Sequence, residues 1–133
     1  TPQATPLDYA RAQNNLGGTY QELAAHEDPV GNLWRAIAAY EEALRFYTPQ
    51  ATPLEYARTQ HNLGLACLAL ANVETDTERG CEVLARAIRA FQEALRFRTP
   101  EATPRWHAET RKALEEALEK ARAWGCPEAS PYA

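Results

Sequence analysis

Thr1-Pro2-Gln3-Ala4-Thr5-Pro6-Leu7-Asp8-Tyr9-Ala10 returns as Thr48-Pro49-Gln50-Ala51-Thr52-Pro53-Leu54-Glu55-Tyr56-Ala57. It returns again, altered, as Thr99-Pro100-Glu101-Ala102-Thr103-Pro104-Arg105-Trp106-His107-Ala108. The offsets are 48 − 1 = 47 and 99 − 48 = 51 residues. Self-similarity at this period marks a repeat architecture, in which each unit buries its apolar face only against its neighbours. Such folds offer extended surfaces, so the sequence directs attention to binding rather than to an enclosed catalytic site.

Each copy opens with a helix-start signal. Thr5 is placed as an N-cap, Pro6 as the first helical residue, and Asp8 completes a capping-box pattern; Thr52, Pro53 and Glu55 repeat it. The spacing predicts a helix over 6–25, with Tyr9, Ala10, Gln13, Leu16, Gly17, Tyr20, Leu23 and Ala24 along one inward face. Asp28 and Pro29 start a second helix reaching Phe46, which carries Leu33, Ala36, Ile37, Tyr40, Ala43 and Leu44 inward. Thr48-Pro49 stops it, because the residue before a proline is driven out of the helical region. The second unit predicts helices over 53–71 and from the turn at 72–77 to Phe97, with Thr75 and Glu78 as a capping box. A last helix, 104–124, ends at Gly125 and Pro127. The expected fold is all-α, five antiparallel helices in the order A-B-A-B-A. The units are 1–47, 48–98 and a capping helix 99–124 within one domain 1–124, followed by a tail 125–133.

At 133 residues the chain makes one modest domain, 45% apolar and 24% charged, with a net charge of −4. Mild acidity argues against nucleic acid, whose binding rests on cationic groups that displace phosphate counterions. No apolar run approaches the ~18 residues of a membrane span, and no signal-peptide pattern is present. Cys67, Cys81 and Cys126 are odd in number, without CxxC or zinc-like spacing, so free thiols in a reducing cytoplasm are expected. Methionine is absent, and the chain opens within what is elsewhere an inter-repeat linker, which reads as a piece of a longer array.

Catalytic and metal signals are missing. There is no HExxH, GxSxG or glycine-rich phosphate loop. His26 falls in a hinge, and neither His61 nor His107 has a Cys or Asp set to complete a metal site. Glu41-Glu42 and Glu115-Glu116 are adjacent on helices and so point about 100° apart, giving a solvated face rather than a facing dyad. Trp34, Trp106 and Trp124 read as packing residues. A protein without catalysis, metal or cofactor is expected.

Leu16-Gly17-x-x-Tyr20 with Ala36-x-x-x-Tyr40-x-x-Ala43, and Leu63-Gly64-x-x-Cys67 with Ala87-x-x-x-Phe91-x-x-Ala94, resemble the tetratricopeptide repeat signature. The small residues let the two helices of a unit cross closely, and the aromatic fills the gap beyond. The standard period is about 34 residues, so these longer units are similar to the kinesin-light-chain branch of the family and to arrays in bacterial signalling proteins. In the third unit Glu115 stands where the glycine would be, which suits a polar-faced terminal cap.

The resemblance implies a concave groove lined by the first helix of each unit. Its contact positions fall here on Arg11, Asn14, Asn15 and Gly18; on Arg58, His61, Asn62 and Leu65; and on Glu109, Lys112 and Ala113. Asparagine is a poor mid-helix residue, yet it recurs at one place in both complete units. Its amide can donate and accept at once, as a peptide main chain requires. The carboxylate clamp of chaperone-tail binders is not matched: only Asn62 of its set is present, and Glu109 would repel a carboxylate. The implied function is binding of a protein or extended peptide, the alternative being a spacer or self-association module whose ends stack with other repeats.

Overall fold

The computed structural model describes residues 5–127. They form α1 (Pro6–Ala24), α2 (Pro29–Ala43), α3 (Pro53–Val73), α4 (Thr77–Leu95) and α5 (Pro104–Ala123), with no strand among the described residues. None of these helices is long and apolar enough to cross a membrane. Proline at the first helical turn starts four of the five, where its missing N–H costs nothing.

The caps differ in detail from the sequence expectation. Thr5 and Asp8 form the reciprocal capping box. Thr52 makes no cap hydrogen bond, because its hydroxyl is turned back to the Thr48 backbone, accepting from the N–H and donating to the carbonyl. For α4 the cap is Asp76 rather than Thr75, its carboxylate accepting from the N–H groups of Glu78 and Arg79. Asp28 caps α2 from a left-handed conformation, φ 40°, and accepts from the Gly31 N–H. Its carboxylate fills the space where a Cβ of residue 31 would lie, which accounts for glycine there.

Successive helices pack in order, α1 on α2, α2 on α3, α3 on α4 and α4 on α5. Contacts between the beginning of one helix and the end of the next make each unit an antiparallel pair. Tyr9 hydrogen-bonds Glu42 at 2.9 Å and meets Phe46 edge-on; Tyr56 does the same with Glu93 at 2.7 Å and with Phe97. The fully buried rings of Tyr40 and Phe91 rest on Gly17 and Gly64, where a Cβ would collide with them. One apolar core runs through α2, α3 and α4 and onto α5 through Ala113, Ala117 and Ala121.

Two expectations fail at the ends. Tyr9, Leu16 and Leu23 are not inward: they are 37–39% exposed. The side of α1 that carries Leu16 and Leu23 is covered by no helix among the described residues, whereas Tyr9, though part exposed, packs against Phe46 and Glu42. At the other end, Cys81 and Cys126 are joined in a disulfide, so only Cys67 is a free thiol. A Schellman turn brings the tail back: Gly125 takes φ 71°, and Cys126 and Gly125 donate to the carbonyls of Ala121 and Arg122. A separation of 45 residues hides this pairing from the sequence, and the case for a reducing compartment goes with it.

Candidate functional site

The odd-numbered helices form the closer layer. The backbones of α1 and α3, and of α3 and α5, approach one another, whereas those of α2 and α4 do not, and Arg86 of α4 reaches across to Glu41 and Trp34 of α2. Polar side chains join the odd helices in a repeated pattern. Asn14 of α1 accepts from Thr59 and Asn62 of α3, at 3.4 and 3.3 Å. One unit on, His61 of α3 lies 3.0 Å from the Thr110 hydroxyl of α5. Asn14 and His61 are equivalent residues, 61 − 14 = 47, as are Thr59 and Thr110, 110 − 59 = 51.

Arg98 extends the second contact. It is buried beneath α5, donates to Thr110 at 2.9 Å, and its guanidinium lies over the Trp106 ring at 5.3 Å. Burial, with the nearby Arg98 charge adding to it, pushes the His61 pKa down to about 4. His61 is therefore neutral at neutral pH and serves as a hydrogen-bonding wedge between helices.

The eleven groove positions separate into two sets. Asn14 and His61 are buried at the contacts between odd helices, Ala113 is buried in the apolar core, and none of the three faces solvent. Arg11, Asn15, Arg58, Glu109 and Lys112 are exposed, with Gly18, Asn62 and Leu65 half-buried beside them. Arg11 pairs with Asp8 and Glu109 with Arg105, leaving Arg58 and Lys112 without an ion pair among the described residues. Asn62 shares its amide N–H with Asn14, so only part of its hydrogen-bonding capacity faces outward. The layer is thus polar, with free cationic groups on its second and third helices.

Next to Arg58, a shallow cavity of about 220 Å³ is lined by Leu54, Glu55, Arg58 and Trp106. Leu54 and Trp106 are exposed apolar residues that the sequence reading assigned to no site. Trp106 breaks the repeat, standing where the first two copies place Asp8 and Glu55, 106 − 55 = 51. That break was the available signal. Among the described residues no group of three or more His, Cys, Asp or Glu side chains is placed to hold a metal ion. No family model matches the chain, and no curated protein or solved structure is significantly similar to it.

Proposed function

We propose that the chain is a tetratricopeptide-type helical solenoid that binds a protein or extended peptide along the face of α1, α3 and α5, without catalysis. The observation that carries this reading is the repeated polar contact, Asn14 to Thr59 and His61 to Thr110. It holds the three helices edge to edge, so that Arg11, Asn15, Arg58 and Leu65 fall on one side of a single layer. Closer approach of the odd helices than of α2 and α4 favours curvature toward that side, giving a groove rather than a ridge. The exposed amide of Asn15 and the outward part of Asn62 supply main-chain hydrogen bonds, Arg58 and Lys112 supply charge, and Trp106 with Leu54 supplies an apolar anchor.

Selecting binders for the full chain from a library of random twelve-residue peptides tests the reading. Amide shifts on adding a selected peptide should cluster on Arg11, Asn15, Arg58 and Leu65. Failure to select any peptide, or shifts confined to α2 and α4, would overturn it.

A further inference from the structure

The even-numbered helices leave a seam that the odd-numbered layer lacks. The backbones of α2 and α4 stay apart, and Arg86 of α4 bridges them. It pairs with Glu41 of α2 and lies over the Trp34 ring, 5.7 Å from its centroid. Beside this bridge is a cavity of about 380 Å³. Val30 and Trp34 of α2 wall one side, Arg79, Glu82, Val83 and Arg86 of α4 the other, and Glu74 at the end of α3 completes it. The cavity lies between two consecutive units, with a helix on either side.

Val30 and Trp34 are four residues apart on α2, so they share a face, and they are 40% and 42% exposed. The repeat does not require this tryptophan: its equivalent in the second unit is Ala85, 85 − 51 = 34. Glu82 and Val83 likewise stand where the first unit has Gly31 and Asn32, 82 − 51 = 31. These lining residues are therefore particular to the seam. Their charges are unevenly matched. Arg86 is committed to Glu41, and Arg79 lies 4.0 Å from Asp76. Glu74 and Glu82 have no ion pair among the described residues, so the charge left over is negative.

We propose that this cavity takes an arginine side chain of a partner protein. The methylene stem would lie along Val30 and Val83, and the guanidinium on the exposed part of Trp34, with Glu82 and Glu74 as counter-ions. Arg86 is the internal precedent, a guanidinium that meets a carboxylate and this same indole at once. An acidic side chain would face two unpaired carboxylates, and an apolar one would desolvate them without a counter-ion. Lysine carries the charge but not the planar fork that stacks on an indole while pairing with a carboxylate. The site belongs to the even helices and does not rest on the groove along α1, α3 and α5.

The probe is a capped five-residue peptide, arginine at its centre and alanine elsewhere, titrated into the full chain and followed by NMR. The Trp34 indole N–H and the Glu82 amide should shift saturably, half-complete at about 20 mM or below. A citrulline peptide, of the same shape without the charge, should bind at least about threefold more weakly. Glu82→Gln alters an exposed side chain and should weaken the arginine peptide by a similar factor. Trp34→Ala installs the residue of the second unit and should do the same, read at the Glu82 amide. Four results would overturn the proposal: no saturable shift at these two groups, equal binding of the citrulline peptide, tighter binding of a glutamate peptide, or indifference to both substitutions. A lysine peptide that binds as tightly would overturn the choice of arginine.

Discussion

A Cβ built at Gly64 falls 2.5 Å from Cε1 of Phe91, a ring with no solvent exposure of its own. The ring has little room to retreat, because it is fully buried in the core and packs beside His61 of α3 at 5.7 Å. Two opposing effects then meet at Gly64→Ala. Alanine gains about 1 kcal/mol of helix propensity over glycine, whereas overpacking a filled core costs about 1–3 kcal/mol. We expect a net loss of up to about 2 kcal/mol in urea unfolding, partly recovered by adding Phe91→Leu. Gly18→Ala is the control: its nearest neighbour is the Tyr40 hydroxyl at 3.9 Å, so the propensity gain should stand alone. A midpoint that rises for Gly64→Ala as much as for Gly18→Ala would mean that the helices do not cross this closely.

The pH dependence should carry the mark of His61. Burial, with Arg98 adding to it, lowers its pKa to about 4 in the folded chain, against 6.5 when free. Between those values the unfolded chain binds a proton that the folded chain refuses, so stability rises with pH across that window and is complete above it. Its loss on acidification from pH 6.5 to 4 should be on the order of 2 kcal/mol. His61→Asn installs the residue found at the equivalent position 14 and should flatten this part of the profile. If urea midpoints of the two proteins fall in parallel from pH 7 to 4, His61 is not held neutral.

Thiol counting tests the closed end. Burial raises the Cys67 thiol to about 12, so it has almost no thiolate at pH 8. Iodoacetamide should label no cysteine in the native chain, one in urea, and three in urea with reductant. Reduction should cost about 2–4 kcal/mol of stability, the usual worth of a bond closing a loop of this length. Three reactive thiols in urea without reductant would rule the bond out.

Deleting residues 103–133 removes α5 with Cys126 and uncovers the apolar side of α4. We expect aggregation or a large drop in melting temperature, because two units remain where about three are needed. A truncated chain that stays monomeric and melts unchanged would show that α5 is not a cap.

Periodicity and proline signals located all five helices because both act within a few residues of chain. The glycine–aromatic pairs were legible too, since Gly17 with Tyr40 and Gly64 with Phe91 repeat in step. What the sequence could not carry was context supplied by a neighbour. Leu16 and Leu63 are the same residue at the same repeat position, yet Leu63 is covered by α2 and Leu16 by nothing described. The pairing of Cys81 with Cys126 depends on a turn at Gly125 that spacing does not reveal. At the site, Asn14 and Asn15 are adjacent and chemically identical. Only the position of α3 decides that Asn14 is spent on Thr59 and Asn62 while Asn15 stays free.

The central claim, a peptide held along the odd-numbered helices, meets its most direct test in calorimetry with Asn15→Ala plus Asn62→Ala. Asn15 is exposed and Asn62 makes one long bond to Asn14, so the fold should lose little and gain helix propensity. A bound main chain would lose up to four neutral hydrogen bonds, each with a net worth of about 0.5–1.5 kcal/mol. Affinity for a library-selected peptide should therefore fall roughly tenfold to a thousandfold, with the melting temperature held within a few degrees. Undiminished affinity in the double variant would contradict the groove.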